Sequence, residues 1–242
     1  MSTRLCNVVI DAADPKTLSR FWTDLLGWQA SQPTSEEVDI RAPAADGWQF
    51  DLILIPGAEP KTPVKNRVHL DLASASPDHQ VAQVTHALSL GATRADIGQR
   101  NVPWVVLADP EGNEFCVLDP RPEYMATGAV AAVVMDALDP LRLAEFWSAA
   151  TGWPVVETTE WTASLRSPDA RGPWLEFIRT EHPHTTKNRV HLDVNLGSSD
   201  ELDRLVQLGA RVLRPFGAVP EDRWAILADP EGNEFCAFPP EQ

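Results

Sequence analysis

The chain has 242 residues, of which 43% are hydrophobic and 23% charged, and its 35 acidic residues against 20 basic ones give a formal net charge of −15. This length accommodates one large domain or two ordinary ones, and the acidic excess argues against nucleic acid or an anionic membrane as partner and favours neutral or cationic ligands. No apolar run approaches the roughly 20 residues that span a bilayer, no secretory signal is recognisable, and three cysteines suit free thiols, so we expect a cytoplasmic protein.

The first quarter of the chain predicts a strand, a helix and three further strands. An apolar run at residues 5–10 is typical of a strand. Asp14 suits an N-cap and Pro15 the first helical position, so a helix is predicted to begin there. Apolar side chains then recur at helical spacing as far as Leu26, and Gly27 can end the helix. The extended segments that follow are at residues 28–32, 38–41 and 49–55.

The second quarter has the same order of elements. Residues 67–72 predict a strand, and the apolar Val81, Val84 and Leu88 indicate a helix that ends at Gly91. The later strands are predicted at residues 93–97, 104–107 and 114–118. An Asp-Pro-Glu-Gly-Asn segment before the last strand is turn chemistry, because proline presets φ and Gly or Asn accepts the left-handed region. The resulting unit is β-α-β-β-β, with its fourth strand beside its first.

The second half of the chain repeats the first. Residues Lys65–Asp71 recur unchanged at Lys187–Asp193, and Leu107–Cys116 recur at Leu227–Cys236. A repeat of about 120 residues is the size of a domain, far longer than the roughly 20–50 residues of a solenoid unit. The chain is therefore predicted to contain four β-α-β-β-β units in two copies of one domain.

Paired units with an Asp-Pro-x-Gly-Asn turn before the last strand resemble the vicinal oxygen chelate superfamily of glyoxalases, bleomycin-resistance proteins and extradiol dioxygenases. The resemblance implies an α+β fold with two glyoxalase-like domains, each a curved mixed sheet around a cleft. The domains are predicted at residues 1–120 and 128–240, with a linker at 119–128 that contains proline and glycine. A monomer, as an intrachain pseudo-dimer, and a homodimer are both compatible with this arrangement.

The resemblance also bears on cofactors, because catalytic members hold a divalent metal with His or Gln from first strands and Glu from last strands. The first-strand positions fall on Asn7, His69, Ala132 and His191. The late-strand positions fall on Cys116, Cys236, the segment 51–53 and Glu176. Mg²⁺, Mn²⁺ and Fe²⁺ prefer oxygen and imidazole to thiol, so no cofactor is expected. A divalent metal is the alternative, and its candidate ligands are His69, His191 and Glu176.

Strand alternation places a row of polar side chains on one face of the predicted sheets. The residues predicted to contact a ligand are His69, Asp71, Glu114, Cys116 and Asn7, and His191, Asp193, Glu234 and Cys236. Because copy two has Ala132 where copy one has Asn7, copy one is predicted to be the better binder. The alternative is a hydrogen-bonded polar face without a ligand, in which Arg67 and Arg189 pair with carboxylates.

Two classes of function remain open at this stage. The first is binding or sequestering a small molecule in the clefts without metal catalysis, as in the bleomycin-resistance branch. Aromatic surface for it is expected from Trp48, Trp104, Trp174 and Trp224. The second is a metal-dependent lyase, isomerase or extradiol-type dioxygenase. A catalytic thiol is disfavoured because both late cysteines lie inside strands, and His182 and His184 are expected to be solvated in a loop.

Overall fold

The computed structural model describes residues 3–34, 37–48, 50–57, 61–218 and 223–240. The predicted unit occurs four times. Unit 1 consists of β1 (Arg4–Ala12), α1 (Pro15–Leu26), β2 (Gln29–Ala30), β3 (Val38–Arg41) and β4 (Asp51–Pro56). Unit 2 consists of β5 (Val68–Leu72), α2 (Pro77–Ser89), β6 (Thr93–Arg94), β7 (Val105–Ala108) and β8 (Glu114–Val117). Unit 3 consists of β9 (Val130–Ala137), α3 (Pro140–Thr151), β10 (Val155–Thr158), β11 (Thr162–Leu165) and β12 (Trp174–Arg179). Unit 4 consists of β13 (Val190–Asn195), α4 (Glu201–Gln207), β14 (Arg211–Arg214), β15 (Ala225–Ala228) and β16 (Glu234–Phe238).

The first helix begins and ends where its capping residues predict. The Asp14 side chain accepts a hydrogen bond from the Thr17 N–H at 3.2 Å, and Pro15 occupies the first turn. Gly27 has φ 69°, a left-handed conformation that favours glycine, and its N–H donates to the Thr23 carbonyl. The corresponding helix α3 of unit 3 has the same two caps.

Helix α2 forms where the sequence predicts a helix, but the predicted apolar stripe is not the face that it buries. Val84 is buried together with Ala87. Val81 and Leu88, which share the predicted apolar stripe, are 65% and 38% exposed.

Among the residues that the structure describes, no helix is long and apolar enough to cross a membrane. The three cysteines are free thiols, as predicted.

The sixteen strands of the described residues form two eight-stranded mixed sheets. Sheet A joins units 1 and 4 in the order β14-β15-β16-β13-β1-β4-β3-β2, and sheet B joins units 2 and 3 in the order β10-β11-β12-β9-β5-β8-β7-β6. In every unit the fourth strand lies beside the first, as predicted, and the two run parallel. The units meet through antiparallel first strands, β1 with β13 and β5 with β9. The predicted fold class is confirmed, and each sheet takes one unit from each sequence repeat.

One face of each sheet packs against the helices in a continuous hydrophobic core. Trp22 of α1 and Trp147 of α3 are 1% and 0% exposed, and each ring meets a phenylalanine of a last strand, Phe115 or Phe235, with centroids 5.2 Å apart. Such edge contacts between aromatic rings add to the free energy gained from burial. The opposite faces carry the polar side chains. We refer to the polar face of sheet A, on the side away from the helices, as cleft A, and to the polar face of sheet B as cleft B.

The repeated motifs connect the two copies across the molecule. Arg67 of unit 2 forms an ion pair with Glu231 of unit 4 at 3.1 Å, and its Nε donates to Asn233 Oδ1 at 3.0 Å. Arg189 of unit 4 forms the equivalent ion pair with Glu111 of unit 2 at 3.0 Å, and its Nε donates to Asn113 Oδ1 at 3.1 Å. Both arginines therefore pair with carboxylates, which satisfies their buried donors.

The Asp-Pro-Glu-Gly-Asn turn also positions the first helix of its own copy, which belongs to the unit in the other sheet. Glu231 accepts hydrogen bonds from the backbone N–H groups of Leu138 and Asp139, both at 2.8 Å, at the start of α3. Asp229 accepts from the Trp147 indole N–H at 3.2 Å. These contacts give the turn a structural role that explains why its sequence is the same in both copies.

Candidate functional site

Each cleft contains a cluster of one histidine, one aspartate and one cysteine. The clusters are His191, Asp193 and Cys236 in cleft A, and His69, Asp71 and Cys116 in cleft B. Within each cluster one imidazole nitrogen, one carboxylate oxygen and the sulfur all lie within 4.8 Å of one another. Period-two alternation along the first strand and parallel pairing with the last strand bring them together, with each aspartate opposite its cysteine.

Asn7 lies in a different cleft from the one that the sequence predicts. It is opposite Asp193 across β1 and β13, and its Nδ2 donates to Asp193 Oδ2 at 3.3 Å. Ala132 is instead opposite Asp71 in cleft B. The prediction that Asn7 favours the cluster of its own copy is therefore wrong, because the two copies exchange units between the sheets.

Burial shifts the pKa values of His191, Asp193 and both cysteines. It lowers the pKa of His191 to about 4, so the imidazole is neutral near pH 7, and it raises the pKa of Asp193 to about 7. Burial, followed by the charge of Asp193, raises the pKa of Cys236, and burial and Asp71 do the same for Cys116. Both thiols are therefore protonated, whereas a nucleophilic cysteine requires a lowered pKa.

Glu114 and Glu234, which were predicted to contact a ligand, hold the loops that precede β5 and β13. The Glu114 carboxylate accepts hydrogen bonds from the Asn66 backbone N–H and from Lys61 Nζ, both at 3.1 Å. The Glu234 carboxylate accepts a hydrogen bond from the Asn188 backbone N–H at 3.1 Å and lies 3.2 Å from His184 Nε2. His184 has a side chain only 14% exposed, so the prediction that it is solvated is wrong.

Cleft A contains a cavity of about 540 Å³ next to its cluster. Its aromatic wall consists of Trp48, Phe50 and Phe238, and its polar wall includes Arg4, Asn7, Arg41, Asp51 and Asn195. The Trp48 ring lies with its centroid 4.5 Å from that of Phe50, and its indole nitrogen is buried without a hydrogen-bond partner among the described residues. Trp224, another tryptophan predicted near a cleft, packs on Phe238 at 5.9 Å.

In cleft B, the linker supplies a residue that the sequence analysis did not single out. The hydroxyl of Tyr124 donates to Glu176 Oε1 at 2.8 Å. Burial raises the pKa of Glu176 to about 7, although the Tyr124 hydrogen bond lowers it. Trp104 and Trp174 pack on the same side of the sheet. A lone aromatic residue in a polar linker was the available signal, but linker composition alone does not indicate where such a side chain docks.

A second cavity, of about 680 Å³, lies between the loops that precede β5 and β13. Several of the side chains that line it are cations with carboxylate partners. Lys65 pairs with Asp136 at 2.7 Å, and Arg67 pairs with Glu231 at 3.1 Å. The polar groups of this cavity therefore serve the contacts between the two copies.

The metal implied by the sequence resemblance requires a matching set of donors. Strand register aligns Ile53 of β4 with Glu176 of β12, because each lies opposite the same position of its first strand. The positions of the metal ligands are therefore Asn7, Ile53, His191 and Cys236 in cleft A, and Ala132, Glu176, His69 and Cys116 in cleft B. Protonated thiols and aliphatic side chains do not suit Mg²⁺, Mn²⁺ or Fe²⁺, so two of the four positions in each cleft offer no suitable donor. The residues present do not fit such a hard cation.

Comparison with known proteins places these observations in a family. A family model described as glyoxalase-like domain matches residues 7–118 and 132–238. No curated protein sequence matches the chain. Glyoxalase I from Zea mays superposes with a TM-score of 0.67 at 15% identity, covering 98% of this chain and 92% of that one. A putative dioxygenase from Bacillus subtilis subsp. subtilis str. 168 superposes with a TM-score of 0.62 at 11% identity, covering 99% and 86%. These likenesses show the fold, and the chain belongs to the glyoxalase-like domain family in two tandem copies, which confirms the predicted vicinal oxygen chelate superfamily.

Proposed function

We propose that the protein binds a small aromatic molecule in cleft A, without metal catalysis. The observation that carries the proposal is the cavity of about 540 Å³, with one polar and one aromatic wall. Small-molecule sites commonly have volumes of about 300–1,000 Å³ and combine apolar surface with a few placed polar groups. The adjacent Asn7–Asp193 hydrogen bond connects this cavity to the His191 cluster.

The walls of the cavity indicate which chemistry the ligand carries. The amides of Asn7 and Asn195 provide hydrogen-bond acceptors, and the Trp48 indole N–H provides a buried donor. Asp51 also lines the cavity, where it pairs with Arg41 at 3.1 Å. Phe238 can pack against a flat ring. The formal net charge of −15 favours neutral or cationic partners. Because Arg4 and Arg41 line the cavity against one carboxylate, the ligand proposed is a flat, neutral molecule with N–H or O–H groups.

A matched pair of variants tests binding in cleft A. We expect an aromatic ligand found by thermal-shift screening to lose at least about tenfold in affinity on Phe238→Ala, because an aromatic wall of the cavity is removed. Leu118 occupies the equivalent position after β8, so Leu118→Ala serves as the control and should leave the affinity unchanged. Isothermal titration calorimetry measures both. A ligand that is insensitive to Phe238→Ala but sensitive to Leu118→Ala would contradict the assignment of the cleft.

A metal-dependent lyase, isomerase or dioxygenase is the alternative function. The observation in its favour is the short separation of imidazole, carboxylate and thiol donors, all within 4.8 Å of one another in each cluster. Zinc is a cation whose ligand preferences include all three donors. His69 and His191 are the nitrogen donors of the two clusters.

Metal analysis distinguishes the two functions. For protein purified without chelator, we expect well under one equivalent of Fe, Mn, Ni or Zn per chain, because the thiols are protonated and the ligand positions do not match a hard cation. The measurement is elemental analysis by mass spectrometry on the wild type, His69→Ala and His191→Ala. Near one equivalent of metal, lost on either substitution, would favour the metal-dependent enzyme.

A further inference from the structure

The linker between the two copies folds into cleft B. After a short helical turn at Pro122–Tyr124, the Tyr124 side chain is 8% exposed and packs in a cluster with Cys116, Leu118 and Ala131. The carbonyl of Tyr124 accepts from the hydroxyl of Thr127 at 2.8 Å. The Tyr124 ring therefore packs against the polar face of sheet B and is shielded from solvent.

Tyr124 makes polar contacts at its hydroxyl and aromatic contacts around its ring. Its hydroxyl donates to Glu176 at 2.8 Å, and its ring meets Trp174 edge-on with centroids 6.3 Å apart. The Arg121 guanidinium lies 5.9 Å from the Tyr124 ring centroid and 5.6 Å from that of Trp104, which closes the outer side. One hydrogen bond to a buried carboxylate and an aromatic enclosure closed by a single cation combine apolar surface with a few polar groups, as small-molecule sites do.

Strand registers show what the same place contains in cleft A. Ala132 pairs with Trp174 in sheet B as Asn7 pairs with Asp51 in sheet A. The other equivalent pairs of wall residues are Ala131 with Cys6, and Leu118 with Phe238. These counterparts line the cavity of about 540 Å³ in cleft A. Tyr124 therefore takes in cleft B the place that the cavity has in cleft A.

We propose that cleft B is a binding site for phenols and that Tyr124 of the linker is its built-in occupant. An aromatic ring is recognised by Trp174, Leu118 and Ala131, and a hydroxyl is recognised by the carboxylate of Glu176. Ile53 stands at the position of Glu176 in cleft A, so cleft A lacks this acceptor. Binding in cleft B does not depend on what binds in cleft A.

Removing the side chain of Tyr124 opens the site for a probe. We expect p-cresol, which has the tyrosine side-chain structure, to bind Tyr124→Ala protein saturably at one site and wild type at least about tenfold more weakly, because an apolar cavity accepts matching small molecules. Toluene lacks the hydroxyl and should bind the variant about tenfold more weakly than p-cresol, since a hydrogen bond to a buried carboxylate is lost. Adding Glu176→Gln should reduce this preference.

Isothermal titration calorimetry on folded protein measures each affinity. Absence of p-cresol binding to folded Tyr124→Ala protein, or equal affinities for p-cresol and toluene, would overturn the proposal. A ligand of cleft A should keep its affinity in Tyr124→Ala protein, so failure in one cleft is distinguishable from failure in the other.

A second measurement needs no cavity variant. Tyr124 is the only tyrosine of the chain, so tyrosinate absorbance reports on this one hydroxyl. Burial, followed by the charge of Glu176, raises the pKa of Tyr124 above its ordinary value of 10.0. We expect wild-type protein to form tyrosinate only above that pH while folded. Ionisation at the ordinary value in folded protein would show that the ring lies outside cleft B and would overturn the proposal even if Tyr124→Ala does not fold.

Discussion

Arg67→Ala is expected to lower the free energy of unfolding by about 3–5 kcal/mol, the typical cost of breaking a buried ion pair from one side. The Arg67 side chain is 10% exposed and pairs with Glu231, which is also 10% exposed. Its guanidinium also donates to the Asn233 side chain at 3.0 Å. Alanine at this position leaves the Glu231 carboxylate buried without its counter-charge and removes a contact that connects units of different copies.

Denaturant unfolding of wild type and variant measures this effect. Arg189→Ala should lose a similar amount, because Arg189 makes the equivalent contacts in the other half of the molecule. Arg204→Ala is the control: Arg204 is 49% exposed in a surface pair with Glu201, and its loss should cost no more than about 1 kcal/mol. Equal, small losses for Arg67→Ala and Arg204→Ala would show that the buried pairs do not hold the copies together.

Glu176→Gln is expected to stabilise the protein at pH 8 relative to wild type, with little difference at pH 4. Burial raises the pKa of Glu176 from 4.5 to about 7. Between these values the folded state binds more protons than the unfolded state, so wild-type stability is lost as pH rises through the folded pKa. A shift of this size corresponds to about 3 kcal/mol, an upper estimate for a buried group. Glutamine is neutral and keeps an oxygen that can accept from the Tyr124 hydroxyl.

The difference in unfolding free energy between the two proteins, measured from pH 4 to pH 8, isolates this carboxyl group. Other buried carboxyls, such as Asp193 with a pKa of about 7 and Asp109 with a pKa of about 6, contribute with the same sign to both proteins. Subtracting the two profiles removes their contribution. Parallel profiles across the whole range would mean that Glu176 is not the buried, linker-bonded carboxyl that the structure shows.

Sequence alone was sufficient for features that depend on local chemistry. Helix α1 begins after Asp14 and ends before Gly27, as predicted, because capping involves only the helix's own backbone. Period-two alternation placed His69 beside Cys116 and His191 beside Cys236, because the first and fourth strands of one unit lie side by side. The internal repeat predicted four equivalent units, and the motifs in their turns indicated the superfamily.

Tertiary structure alone decided which unit shares a sheet with which. The two copies have nearly the same motifs, so unit 1 has the same local pattern whether its partner is unit 2 or unit 4, and the pairing is settled by packing across the whole core. That choice placed Asn7 beside Asp193 instead of in the cluster of its own copy. It also left cleft A with a cavity and cleft B filled by Tyr124, since the docking of a linker depends on long-range contacts that no local pattern records.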